Sequence, residues 1–209
     1  MAFIEDGFRQ RGKDLRILEF GHGFNPEVMA RFQDMHEVWG ADRDQGLVYF
    51  NDLDWEAQFA EKVAPSCANV RFARELLSTQ TENSQIPDDY FDVVLSVSVL
   101  EEVPIPVVAD VVRAAFRKLR PGGVLIGTHD LQMLIVAQRL RAYLQTQREA
   151  GFSIEDFGAI PPPDWRGLLL ENSQIVMLHY EMAEPEETRR YWGHFGTVFT
   201  VATKPGSPS

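Results

Sequence analysis

Two short stretches near the start of the chain carry residues suited to binding a nucleotide-like ligand. The first, LRILEFGHGFNP at positions 15–26, ends an apolar run at Glu19 and then places Gly21 and Gly23 one residue apart. Glycine has no Cβ, so its backbone turns sharply and approaches a ligand closely. The second stretch, VWGADRD, brings Asp42 to the end of another apolar run, about 20 residues beyond the glycines. A ribose-binding carboxylate belongs there in a nucleotide-binding unit.

The elements that must position these residues follow from local signals. Residues 15–20 and 38–42 are short apolar runs typical of buried strands. Between them, Asn25 is a good N-cap and Pro26 suits the first helical position, so we expect a helix to about residue 34. The glycines therefore lie in the turn between a strand and a helix.

Alternating strand and helix signals continue to about residue 130. They predict an α/β fold: a Rossmann-like, mostly parallel seven-stranded sheet with helices on both faces and an antiparallel hairpin at its C-terminal edge. The further strands are expected at 69–73, 91–97, 124–128, 174–182 and 197–203, and the further helices in 44–63, after Pro104 and in 131–150. The polar segment 74–89 predicts a loop or a short irregular helix.

The composition narrows the class of protein. A net charge of -11 over 209 residues argues against general nucleic-acid binding, which depends on Lys and Arg neutralising phosphates. Cys67 is the only cysteine, so no intrachain disulfide can form. We find neither a signal peptide nor an apolar run of roughly 18 residues, and we expect a cytoplasmic protein without a membrane span. With no cysteine pair and no two histidines at helical ligand spacing, no metal site is expected.

Four segments, LEFGHG, GADRD, IPDDYFDVVLSVSVLEEVP and RKLRPGGVLIGT, stand in the order and spacing of one enzyme family. In them the chain resembles the class I S-adenosylmethionine-dependent methyltransferases, including the methyltransferase type 11-like members. The resemblance runs from about residue 15 to residue 128, and 197–204 is similar to the family's last strand. It implies S-adenosyl-L-methionine as cofactor and in-line attack of an acceptor on its methyl group.

The resemblance also implies which residues bind the cofactor. Glu19 would face the cationic amino group, and the helix start at Asn25 suits the carboxylate of the methionine part. Asp42 would hydrogen-bond the ribose hydroxyls, the alternatives being a helix N-cap or a surface acid. The further candidates for cofactor contact are Phe20, Gly21, His22, Gly23, Arg43, Glu75, Leu76, Ser96 and Val97. For Arg43, a place beside the adenosine and a place in solvent remain open.

Two segments depart from the family pattern. After the third strand the chain reads Ala-Arg-Glu-Leu, where Glu75 could lie near the adenine amino group with Leu76 on the ring, or be an exposed charge. The family's common Leu-Glu-His-Val is here Leu-Glu-Glu-Val, which puts Glu102 where many relatives carry a histidine at the acceptor site. Glu102 could be a base or structural, or the substrate needs no base. His129, after the fifth strand, is the second catalytic candidate.

The predicted organisation is one methyltransferase domain. It divides into an N-terminal extension (1–14), a cofactor-binding core (15–130), a substrate-side insertion (131–195), a last strand (196–204) and a disordered tail (205–209). The expected acceptor is a small molecule, with a protein as the alternative, and the oligomeric state stays open. A non-catalytic S-adenosylmethionine-binding module is the second hypothesis. A nucleotide-dependent oxidoreductase is third, because Pro26 stands where its fingerprint needs another glycine.

Overall fold

The computed structural model describes residues 14–42, 55–100, 103–130, 139–154 and 197–206. These residues form one sheet with helices on both faces. The strands are Arg16–Phe20 (β1), Glu37–Ala41 (β2), Arg71–Ala73 (β3), Phe91–Val97 (β4), Leu119–Asp130 (β5), Ser153–Ile154 (β6) and Thr197–Thr203 (β7). The helices are Glu27–Phe32 (α1), Trp55–Lys62 (α2), Ile105–Lys118 (α3) and Arg139–Glu149 (α4), and Ala64–Ser66 forms a turn of 3-10 helix.

The seven strands lie in the order β3-β2-β1-β4-β5-β7-β6. β1 to β5 pair in parallel, whereas β7 runs antiparallel to both β5 and β6. The predicted fold class is therefore confirmed. The order reverses between β1 and β4, and open α/β sheets bind their ligands at the carboxyl ends of the strands beside such a reversal.

Apolar side chains cover both faces of the sheet. On one face, Ile17 of β1 and Val93 of β4 belong to a cluster with Met29 and Phe32 of α1. On the other face, the cluster includes Leu18 of β1 and buried side chains of α3 and α4. β1 and β4 are thus buried from both sides, which explains why their sequences are mainly apolar.

The start of α1 lies one residue later than predicted, because Pro26 rather than Asn25 is the N-cap and the helix begins at Glu27. Asn25 Oδ1 accepts a hydrogen bond from Glu27 N at 3.1 Å, and Pro26 lies between them at the helix start. An amide oxygen in this position satisfies an N–H group that has no partner within the helix. None of the helices in the described parts of the chain is both long and apolar enough to span a membrane.

The C-terminal edge differs from the expectation in two details. β5 is longer than the predicted 124–128, and its pairing with β4 shifts register between Phe91 and Val93. The strand beside β7 is the two-residue β6, where the sequence predicts no strand. The predicted strand 174–182 lies outside the described residues.

Lys204 fixes the end of β7. Its backbone exchanges hydrogen bonds with Gly122 and Gly123 at 2.9 and 2.8 Å, and its Nζ donates to Leu119 O at 2.6 Å. Gly122 and Gly123, in the first part of β5, are therefore held against the end of the last strand.

Candidate functional site

The loop between β1 and α1 turns at two glycines in the left-handed region. Gly21 has φ +68° and Gly23 has φ +54°, values that a residue with a Cβ rarely adopts. A Cβ on Gly21 would lie 2.6 Å from Val99 Cγ2, so this glycine lets the segment after β4 pack against the loop. A Cβ on Gly23 would meet no atom of the described residues within 4 Å. Gly21 therefore serves packing, and Gly23 borders open space.

Asp42 joins the loop to the next strand. Its Oδ2 accepts a hydrogen bond from Gly23 N at 2.7 Å, and its own N–H donates to Ala73 O at 3.3 Å. Gly21 N donates to Ala41 O at 2.8 Å. Asp42 thus lies where β1, β2 and β3 all end. Its carboxylate holds the loop, a role that the sequence does not predict.

Glu19 is buried near the carboxyl end of β1. Its side chain is 3% exposed, and Oε2 has no hydrogen-bond partner among the described residues. Burial, and after it the charge of Asp42, raises the pKa of Glu19 from 4.5 to about 8. The carboxyl is therefore protonated at pH 7, and a cation placed beside it would favour its ionised form.

His22, between the two glycines, is a buried part of the loop. Its Nδ1 donates to Gly23 O at 2.8 Å, and its ring meets Phe72 edge-on at 5.6 Å between centroids. Burial lowers the pKa of His22, although Asp42 and the bond to Gly23 oppose the shift. The structure thus places His22 in the loop's internal packing. Phe20, at the end of β1, is buried in the core.

In the segment after β3, the side chains of the adjacent residues Glu75 and Leu76 have different surroundings. The carboxylate of Glu75 accepts hydrogen bonds from Ser84 Oγ and, at 2.9 Å, from Gln85 N, so it closes a loop. Leu76 is 42% exposed. The apolar side chain is thus presented outward while the acid is engaged within the loop.

On β4, Ser96 is fully buried, and its Oγ has no hydrogen-bond partner among the described residues. It is paired in register with Phe20 of β1, and the half-buried Val97 is paired with Thr128 of β5. Both residues lie at the carboxyl ends of their strands, beside the point where the strand order reverses.

His129 is enclosed near the end of β5. Its side chain is fully buried, its Nε2 lies 3.1 Å from Thr200 Oγ1, and its ring packs on Tyr143 of α4 at 4.5 Å. A Cβ on Gly127 would lie 2.4 Å from His129 Nε2, so that glycine makes room for the ring. The ring is therefore part of the packing between the sheet and α4.

Two predicted site residues, Arg43 and Glu102, lie outside the described residues, as does most of the predicted insertion 131–195. In the parts of the chain that are described, no three His, Cys, Asp or Glu side chains are grouped to hold a metal ion.

Asp110 of α3 was not singled out from the sequence, yet both of its carboxylate oxygens accept hydrogen bonds from Ser78 and Thr79. The only local signal was the run of Ser and Thr in a polar loop, and that run does not indicate which distant acid it meets.

A family profile described as "Methyltransferase domain" matches residues 18–127, more than half of the chain. The chain therefore belongs to the methyltransferase domain family, and the predicted class, the class I S-adenosylmethionine-dependent methyltransferases, is confirmed. A comparison with curated proteins finds no match.

Solved structures with the same fold include three informative cases. Phosphoethanolamine N-methyltransferase 2 from Haemonchus contortus has a TM-score of 0.58 at 17% identity; the match covers 98% of this chain and 52% of that one. The [4+2]-cyclase SpnF has a TM-score of 0.57 at 18% identity, with 98% and 81% covered. Geranyl diphosphate C-methyltransferase from Streptomyces coelicolor has a TM-score of 0.58 at 14% identity, and the match covers 97% of this chain and 79% of that one. This chain spans about half the length of the first neighbour, and all three likenesses concern the fold.

Proposed function

We propose that this protein binds S-adenosyl-L-methionine at the carboxyl ends of β1 and β2 and transfers its methyl group to a small-molecule acceptor. The observation that carries the proposal is Glu19: a buried carboxyl group whose Oε2 lacks a hydrogen-bond partner in the described chain. A buried polar group without a partner is costly, and it is retained at sites that a ligand completes. The ammonium group of the cofactor is a partner of the right charge.

The neighbouring residues fit the rest of the cofactor. Gly23 borders open space, and Asp42 lies at the adjacent strand end with a carboxylate that can accept hydrogen bonds from ribose hydroxyls. Leu76 offers an exposed apolar side chain for the adenine ring. When bound, S-adenosylmethionine supplies a methyl group on a positively charged sulfur, which is reactive toward nucleophiles.

The contribution of the chain to the reaction is alignment. Intramolecular alignment reaches effective molarities on the order of 10⁵ to 10⁸ M, so methyl transfer does not require a visible base. Glu102 and His129 remain the proposed catalytic residues. Since His129 is enclosed beneath Tyr143, Glu102 is the better candidate for contact with an acceptor.

The proposed acceptor is small because the charge of -11 disfavours nucleic acid. Two neighbours of the same fold are named as enzymes acting on phosphoethanolamine and geranyl diphosphate, which supports a small molecule without identifying it. A protein acceptor is the alternative. We place the acceptor beside the insertion 131–195.

Calorimetric titration tests the proposal directly. The purified chain is titrated with S-adenosylmethionine, S-adenosylhomocysteine and NADH. We expect saturable binding of the first two ligands and none of NADH. Absence of binding to both sulfur compounds would refute the cofactor assignment, and binding of NADH alone would favour an oxidoreductase.

A cofactor-binding module without methyl transfer is the second candidate. One observation favours it: His129, one of the two catalytic candidates, is fully buried. Incubation with methyl-labelled S-adenosylmethionine and a fractionated cell extract separates the two. Label in a small-molecule fraction supports the enzyme, whereas tight cofactor binding with no labelled product supports the module. If Glu102→Gln binds the cofactor as tightly as the parent, a lower rate of methyl transfer in this variant would assign Glu102 a role in turnover.

A further inference from the structure

The loop between β3 and β4 is fixed to α3 at two points. At the first, Asp110 accepts a hydrogen bond from Ser78 Oγ at 2.5 Å and further bonds from the N–H and hydroxyl groups of Thr79. At the second, the buried Lys118 donates to Ile86 O at 2.5 Å and to Ser84 Oγ at 3.0 Å. The two anchors stand two turns apart on one helix.

The loop is also closed on itself. Glu75 accepts hydrogen bonds from Ser84 and Gln85, and Thr81 Oγ1 donates to Leu76 O at 3.0 Å. Leu77 is 2% exposed and belongs to the main core cluster. Leu76, between these fixed neighbours, is left 42% exposed. A large apolar side chain is therefore held in water by a loop that has little freedom to withdraw it.

Leu76 lies close to the proposed ribose residue. The N–H group of Asp42 donates to Ala73 O, so the ends of β2 and β3 are adjacent. Three residues of extended chain span at most about 10 Å, which limits how far Leu76 lies from Ala73. Leu76 is therefore a candidate to contact the base of a nucleoside whose ribose binds at Asp42.

We propose that Asp110 is a positioning residue that holds Ser78 and Thr79 so that Leu76 forms a wall for the adenine ring. The inference rests on the proposed cofactor. The physical gain is preorganisation: a wall that is already in place costs no ordering of the loop when the ligand binds. The ionised form of Asp110 fits this role. Burial alone would raise its pKa, but the hydrogen bonds from Ser78 and Thr79 outweigh burial and hold the pKa below the ordinary value.

The test uses two ligands that differ in the base. S-Adenosylhomocysteine carries adenine, and S-ribosylhomocysteine lacks it. For Asp110→Ala we expect about a tenfold weaker affinity for the first ligand, and for Leu76→Ala at least as large a loss, because a buried apolar contact of this size is removed. The affinity of both variants for S-ribosylhomocysteine should stay within about twofold of the parent.

A double variant asks whether Asp110 acts through Leu76. In a Leu76→Ala background, Asp110→Ala should no longer change the affinity for S-adenosylhomocysteine, because residues that act as one unit are not additive. Asp110→Asn, which keeps one acceptor oxygen, should show a smaller loss than Asp110→Ala. If Asp110→Ala does not fold, Ser78→Ala takes its place, because it removes one of the hydrogen-bond donors to Asp110. It should also weaken the binding of S-adenosylhomocysteine and leave that of S-ribosylhomocysteine unchanged.

A matched control lies on the same loop. Asp89→Asn weakens the contact of Asp89 with Lys204 at 2.6 Å, at the other end of the loop from Leu76, and should leave the affinity for both ligands unchanged. The inference is overturned if Asp110→Ala alters only stability, weakens both ligands equally, or adds fully to Leu76→Ala. Those outcomes leave the cofactor assignment intact, since the parent protein's affinity for S-adenosylhomocysteine tests that assignment separately.

Discussion

Gly23 N donates a hydrogen bond to Asp42 Oδ2 at 2.7 Å, which connects the loop after β1 to the end of β2. The same carboxylate is the one proposed to bind the ribose. Under this proposal, the loop geometry and the recognition of the ligand depend on one side chain.

Asp42→Asn should weaken the binding of S-adenosylhomocysteine about 10- to 100-fold, because a hydrogen bond to a charged group contributes about 1.5 to 3 kcal/mol. Calorimetry at constant pH measures the change. Asp34→Asn, at an exposed acid beyond α1, is the control and should bind like the parent. An unchanged affinity in Asp42→Asn would mean that the ribose site is elsewhere.

The affinity for S-adenosylhomocysteine should rise with pH up to about 8. Glu19 has a pKa of about 8, so below that pH its carboxyl must lose a proton before it pairs with the ligand's ammonium group. Affinity should therefore increase by up to about tenfold per pH unit between pH 6 and 8 and then level off. Calorimetric titrations in buffers of different ionisation enthalpy measure how many protons Glu19 releases when the ligand binds. In Glu19→Gln, and with 5′-methylthioadenosine, which has no ammonium group, the profile should be flat.

Glu19→Gln should also stabilise the fold at neutral pH. The folded-state pKa of Glu19 is raised above its ordinary value of 4.5, so its contribution to stability is fully present below pH 4.5 and is lost as pH rises to about 8. At pH 7 the loss amounts to about 3 kcal/mol, which the glutamine variant does not incur. Urea unfolding at pH 5 and pH 7.5 measures it: the variant's advantage should grow with pH, and an advantage independent of pH would contradict this origin.

The two loop glycines should respond differently to alanine. Gly21→Ala must push against Val99 and adopt φ +68°, so we expect a loss of about 2 to 5 kcal/mol in unfolding free energy. Gly23→Ala should lose only about 1 to 2 kcal/mol of unfolding free energy, from the backbone strain of a positive φ. It also adds a methyl group to the space proposed for the ligand. Thermal unfolding and calorimetry on both variants separate the effects. Equal losses of stability would contradict the packing role of Gly21.

The sequence predicted those features of the fold that depend on local pattern. The apolar runs of β1, β2 and β4 lie where they were expected, because burial on two faces leaves a mark in neighbouring residues. The start of the first helix was predicted to within one residue, since Pro26 rather than Asn25 is the N-cap. The antiparallel β7 was also predicted. The two-residue β6 was not, since a strand so short has no periodicity of its own.

Contacts between distant residues could not be read from the chain. Asp110 and Ser78 are separated by 32 positions, and nothing near either residue indicates that they meet. Glu75 and His22 were predicted to contact the ligand, but the structure gives both a second role within their loops. A polar residue in a loop has many potential partners, and only tertiary structure selects among them.

β7 lies between β5 and β6, although it follows both in the chain. Among the strands that the structure describes, β6 pairs with β7 alone, so this pairing requires residues 197–203 to be in place. The parallel strands β1 to β5 have all been synthesised by residue 130 and can pair before β7 exists. The antiparallel edge is therefore the later part of the sheet to become available for pairing.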